Sequence, residues 1–237
     1  MKKAFFIFFG AALFVSACQT GSAPDSQKPD TSLEEKLLQQ AFLRKDYATA
    51  IVSINTIMAR DTARTDLYDT LFILYSELQN PYAVVDVGQH LLKKTPDDLV
   101  VLETMSQAYE LTGDLAPAAE LYKRLFSITG DPRIKLALAG NYFNQGNIEA
   151  TEAELRWVID NRQASDTIRI EQPMVSVGND KTQKIKLPAM AHFMMAQMYA
   201  QTGQKQKAIS SLNQALKVEP YYDLAASLLL ELQYGKK

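Results

Sequence analysis

The chain has one cysteine, two histidines and one tryptophan in 237 residues. A single thiol closes no intrachain disulfide, so whatever folds here rests on apolar burial. Basic excess is missing too. Lys plus Arg number 25 against 27 Asp plus Glu, a net charge of −2, which excludes the counterion-driven grip on phosphate that nucleic-acid binding needs. Ten glycines and nine prolines are too few for a fibrous or low-complexity chain, and 47% hydrophobic residues exclude disorder. His90 and His192 stand in no His-Glu-x-x-His pattern, and a nucleophile elbow, a phosphate loop and a dinucleotide fingerprint are all absent. The reading is a protein that is not an enzyme, with no catalytic residue, no metal site and no small-molecule substrate.

Long apolar runs are also scarce. The one that stands out follows Lys2 and Lys3 and covers 4–17. At 1.5 Å per residue it reaches roughly 21 Å, short of the roughly 30 Å hydrocarbon core, so a signal peptide over 1–17 is favoured over a membrane helix. Its end, Val15-Ser16-Ala17-Cys18, resembles the bacterial lipobox. The alternative is a plain secretory signal with an incidental cysteine. The lipobox resemblance implies cleavage before Cys18, covalent lipid on its thiol as the only attached group, and several acyl chains, which anchor stably where one does not. It also implies, through Gln19 in place of Asp, sorting to the outer membrane, facing the periplasm of a bacterial envelope. Residues 18–31 are polar with two prolines and read as a flexible tether holding the body on the order of 20 Å from the bilayer.

The body repeats itself. Tyr109 with Gly113, Tyr142 with Gly146 and Tyr199 with Gly203 carry one phrase: an aromatic four residues before a glycine, then Ala118, Thr151 or Ala208 five residues beyond it. This resembles the tetratricopeptide repeat, a helix–turn–helix unit of 34 residues. With that glycine at position 15, frames begin near 31, 65, 99, 132 and 189. Position 7 then reads Leu37, Leu71, Met105, Leu138, Met195; position 20 reads Ala50, Val84, Ala118, Thr151, Ala208; position 27 reads Ile57, Leu91, Leu125, Val158, Ala215. The apolar spacing by itself asks for two successive helices per unit, none able to bury its face alone. Lys45 and Gln79 replace the turn glycine in the first two units, where Asp46-Tyr47 and Asn80-Pro81 are expected to supply the turn. Asp131-Pro132 reads as an N-cap with proline in the first turn.

The expected architecture is therefore all-α: a solenoid of about five helix-turn-helix repeats, four over 32–165 and a fifth over 189–220, closed by a capping helix and tail over 221–237. Between them lies an insertion over 166–188. Thr167–Glu171, Val175–Val177 and Lys184–Leu187 alternate polar and apolar around Gly178-Asn179-Asp180, which fits either a β-hairpin packed on the solenoid or a solvated loop.

The family resemblance places first-helix positions 2, 5, 9 and 12 on a concave, protein-binding groove. Here that groove is expected to be acidic early, through Glu35, Asp66, Asp69, Glu103 and Glu110, with Ile73 and Gln107 between. It is expected to be apolar late, through Leu136, Phe143, Met190 and Phe193, with Gln197. Such a groove suits a partner segment with one basic and one apolar end. The Lys, Asn and Arg set with which chaperone-binding members hold a carboxylate is missing. Met190, His192, Met194, Met195 and Met198 crowd nine residues, and thioethers favour Cu(I), but helical spacing divides them between two faces, so packing is the preferred reading. The functional expectation is a lipid-anchored scaffold that binds partner proteins in envelope or secretion-complex assembly. The alternative is a soft-metal-handling protein or a regulatory adaptor of cell-wall enzymes.

Overall fold

The computed structural model describes residues 29–175 and 181–235. The expected signal segment, Cys18, most of the expected tether, the turn expected at 178–180 and the last two lysines lie outside these residues. Five helix pairs follow one another: α1 (Ser32–Arg44) with α2 (Tyr47–Arg60), α3 (Leu67–Glu77) with α4 (Pro81–Lys94), α5 (Leu99–Thr112) with α6 (Leu115–Thr129), α7 (Pro132–Asn144) with α8 (Ile148–Asp160), and, after an insertion, α10 (Leu187–Gln201) with α11 (Lys205–Val218). The short α9 (Arg162–Ser165), β1 (Arg169–Pro173) and β2 (Thr182–Lys186) form the insertion, and α12 (Asp223–Tyr234) closes the described chain.

One turn, made five times, folds each pair. The backbone N–H at repeat position 16 donates to the carbonyl at position 11: Asp46 to Ala41, Asp114 to Tyr109 and Gln204 to Tyr199 among them, all at 2.8–2.9 Å. This closure needs a left-handed residue at position 15. Gly113, Gly146 and Gly203 supply it with φ of 84°, 75° and 75°. In the first two pairs Lys45 (φ 56°) and Gln79 (φ 52°) take that conformation themselves. The expectation that Asp46-Tyr47 and Asn80-Pro81 would make the turn is thus corrected. Asp46 and Asn80 instead cap α2 and α4, their side-chain oxygens accepting from the N–H groups of Thr49 and Ala83. Asp131 caps α7 over Pro132 in the same way.

Packing follows the repeat. Every residue at positions 20 and 27 is buried, and Ala50, Ala118 and Ala208 are small enough to let the two helices of a pair approach closely. Large side chains such as Ile54, Ile57, Leu102, Leu155 and Leu212 are fully enclosed, each worth roughly 1.5–3 kcal/mol over exposure. Leu37 departs from the pattern. At the core position 7 it is 44% exposed, because α1 has no preceding helix among the described residues to cover it.

The insertion is the β-hairpin of the two open alternatives. Its strands are antiparallel with Ile170 opposite Ile185 and Glu171 opposite Lys184. Both strands are displaced from the expected runs, and Leu187 opens α10 rather than ending a strand. The hairpin packs on the α11–α12 connection. Ile185 is buried beside Phe193 and Tyr222, Arg169 pairs with Glu219 at 3.1 Å, and the Val175 N–H donates to the Asp223 carboxylate at 2.5 Å. The Gln183 amide donates to the Tyr221 carbonyl at 2.8 Å and accepts from the Asp223 N–H at 2.9 Å.

Candidate protein-binding groove

Successive first helices leave three clefts between them. The α3–α5 cleft, of about 500 Å³, is lined by Ser76, Thr104, Gln107 and Leu111. The α5–α7 cleft holds about 360 Å³ between Glu103, Gln107, Arg133 and Ala137. The α7–α10 cleft shrinks to about 100 Å³ against Gly140, Phe143, Met194 and Gln197. The groove is therefore open towards the N-terminal repeats and nearly filled at the other end.

Apolar surface is distributed differently from the expectation. Leu136 and Phe193, expected on an open late groove, are each only 6% exposed. Leu136 lies in the core with Leu187 and Ala191, and Phe193 packs on the Tyr222 ring with centroids 5.2 Å apart. Phe143 and Met190 are half-buried, and Met190 sulfur accepts from the Tyr222 hydroxyl at 3.1 Å. For Phe193 and Met190 the hairpin and the α11–α12 connection supply the cover, and for Leu136 the packed α10 does, which the sequence pattern of a single repeat has no means of showing. The apolar residues that do face solvent are Ile73 (61% exposed), Val100 (69%) and Leu111 (74%), with Phe42 nearby in the repeat order, and Gln197 is exposed further on. Met195 and Met198 are core residues, and Met190 and Met194 pack half-buried against the same cluster.

The acidic residues divide into paired and unpaired. Arg64 bridges Glu35 at 2.8 Å and Asp66 at 3.1 Å. Hydrogen bonding to Arg64 holds the Asp66 carboxyl below its ordinary range. Glu110 accepts from the Tyr122 hydroxyl at 3.2 Å and from the Asn141 amide at 3.0 Å, and Asn141 in turn accepts from Gln145 at 2.6 Å. Burial, and then the Glu110 charge, push the Tyr122 phenol up. This network ties α5, α6 and α7 together beneath the groove floor, and the sequence reading missed it. Its signal was Asn141, fully buried at repeat position 10, where three of the other four units place Leu74, Ala108 and Met198 and the first places the exposed Gln40. Asp69 and Glu103 remain exposed without an ion pair among the described residues. The acidic charge the groove offers a ligand thus comes from these two, beside Ile73 and Val100, with the Arg133 guanidinium in the same cleft as Glu103.

A second set of clefts lies along the other helices and was not anticipated. One of about 460 Å³ between α4, α5 and α6 is lined by Leu92, Met105, Tyr109, Pro117 and Leu121. Among the described residues no group of three or more His, Cys, Asp or Glu side chains is placed to hold a metal ion. No helix of the described residues is long and apolar enough to cross a membrane.

Comparison with known proteins bears on the fold. Residues 189–231 match the tetratricopeptide repeat family. No match is found among curated proteins. Of solved structures, a MamA protein superposes with a TM-score of 0.56 at 11% identity, covering 87% of this chain and 96% of that one. The MamA fragment from Desulfovibrio magneticus RS-1 gives 0.53 at 12% identity, over 81% and 97%. YrrB, described as a tetratricopeptide protein with an unusual peptide-binding site, gives 0.56 at 12% identity, over 85% and 93%. Five turns closed by the same bond, buried small residues at position 20 and these superpositions lead to one conclusion: the chain folds as an all-α tetratricopeptide-type helical array carrying a short β-hairpin insert.

Proposed function

We propose that this protein is a lipid-anchored scaffold that holds an extended segment of a partner protein in the α3–α5–α7 groove, at the periplasmic face of a bacterial outer membrane, and takes part in assembling an envelope or secretion complex. The observation that carries it is the open end of the groove, where Ile73, Val100 and Leu111 stand exposed beside Asp69 and Glu103. Apolar side chains spaced along one strip, with two carboxylates outside any ion pair among the described residues, suit a chain that presents aliphatic and basic residues together. The peptide-binding site in the description of YrrB supports a peptide as the ligand class. The lipobox supports the anchor, through Cys18. No catalytic step belongs to this reading.

A photo-crosslinking residue at Ile73, compared with one at Val52 on the exposed side of α2, tests it in intact cells. Crosslinks to one protein partner from position 73, weakened by Asp69→Lys with Glu103→Lys, are the expected result. Equal yields from both positions overturn the groove as the site. Cys18→Ser is expected to release the chain from the membrane fraction, and full retention overturns the anchor.

A further inference from the structure

We infer that the outward face of α1 is a second contact surface and that it lies on the anionic headgroups of the membrane to which the chain is tethered. The inference rests on the proposed lipid anchor. Ala41 and Glu34 are buried on the side of α1 turned towards α2, where Glu34 pairs with Arg60 at 3.1 Å. The opposite side carries Leu33, Lys36, Leu37, Gln40, Leu43 and Arg44, all exposed. Their offsets of 3, 4, 7, 10 and 11 from Leu33 keep them on one stripe of a helix with 3.6 residues per turn. Leu33 is 64% and Leu43 85% exposed, an arrangement that water alone does not favour.

Charge decides what covers this stripe. Residues 29–112 hold thirteen acidic and seven basic side chains, yet the six residues of the stripe include two cations and no carboxylate. Leucines interleaved with Lys and Arg on one helix face are the composition that settles at a lipid headgroup boundary. Geometry allows it. Cys18 and Ser32 are fourteen residues apart, at most about 50 Å however the chain between them is arranged, and α1 is the first described helix after the anchor. With this face on the bilayer, the stack of helix pairs rises away from the membrane and the groove opens sideways to the periplasm. An acidic groove is then kept off an anionic surface that would repel it.

The test uses the acylated full chain, whose native thiol is occupied by lipid. Leu33→Cys and Leu43→Cys are each labelled with an environment-sensitive fluorophore, with Leu111→Cys as the groove control. The proteins are bound to phosphatidylglycerol-containing vesicles that carry a lipid-attached quencher. Expected are blue-shifted emission and at least threefold stronger quenching at 33 and 43 than at 111, with that difference halved or more by Lys36→Glu plus Arg44→Glu. Equal, water-like emission at all three positions on protein that floats with the vesicles overturns the inference and leaves the anchor standing. A blue shift at 33 and 43 in detergent that grows with protein concentration overturns it in favour of a contact between copies. Failure of the acylated chain to float with vesicles overturns both readings.

Discussion

Lys45 and Gln79 each sit where three of the five repeats place glycine, and each holds a positive φ. For an L-residue the left-handed conformation costs roughly 1–2 kcal/mol, while glycine returns about 0.5–1 kcal/mol of that through the greater freedom of its unfolded chain. Both side chains are exposed and make no side-chain hydrogen bond among the described residues, so deleting them removes little else. Lys45→Gly and Gln79→Gly are therefore expected to stabilise by about 0.5–1 kcal/mol each, and the double variant by about twice that. For a chain of this size the double change raises the melting temperature by roughly 2–8 °C. Gly146→Ala is the mirror experiment. No atom lies within 4 Å of the added methyl, so its expected loss of about 1 kcal/mol reports the backbone alone. Urea unfolding followed by circular dichroism separates the effect from a change in the unfolded ensemble, since the midpoint moves while the slope stays constant. A fall in stability on Gln79→Gly, or no loss on Gly146→Ala, refutes the assignment of these turns.

Two further predictions concern half-buried titratable groups. Lys135 pairs with Glu154 at 2.6 Å and lies 4.4 Å from the Phe126 ring centroid and 5.5 Å from that of Trp157. Glu154→Gln strands the ammonium and is expected to cost about 1–2 kcal/mol, whereas Lys135→Met, which removes charge and keeps volume, stays within about 1 kcal/mol of the parent; emission from the only tryptophan reports both. Burial holds the His192 imidazole below its ordinary pKa of 6.5, with Arg162 adding to the depression and Asp160 opposing it. The unfolded chain therefore takes up that proton first, and the stability His192 contributes is complete above pH 6.5 and lost as pH falls through its folded value. His192→Gln is expected to flatten the stability profile between neutrality and the onset of carboxylate protonation, and an unchanged profile refutes this.

The helix pairs were legible because their cause is local. Residues 3.6 apart share a face, and a Tyr-x-x-x-Gly phrase sets the turn, so Ala118, Leu125 and Ala208 fell where the spacing put them. The turns at Lys45 and Gln79 were legible in place and not in mechanism, because nothing in either side chain announces a positive φ. Burial by distant segments was not legible. Phe193 is covered by Tyr222 and by Ile185 of the hairpin, twenty-nine and eight residues away, and repeat arithmetic treats both as surroundings of something else. Leu37 shows the reverse case, a core position by count with no covering helix among the described residues. Glu35 and Asp66 read as ligand charges, but Arg64 lies between them in sequence order and satisfies both.

The hairpin has a mechanical consequence. It stitches Arg169, Gln183 and Ile185 to residues 219–223, so the last coil pair is fastened to its own lid, while α1 ends the described stack without a lid. Pulled from both ends, such a spring carries one tension along its whole length and opens like a zip from its loose tab, the α1 end yielding before the latched pair.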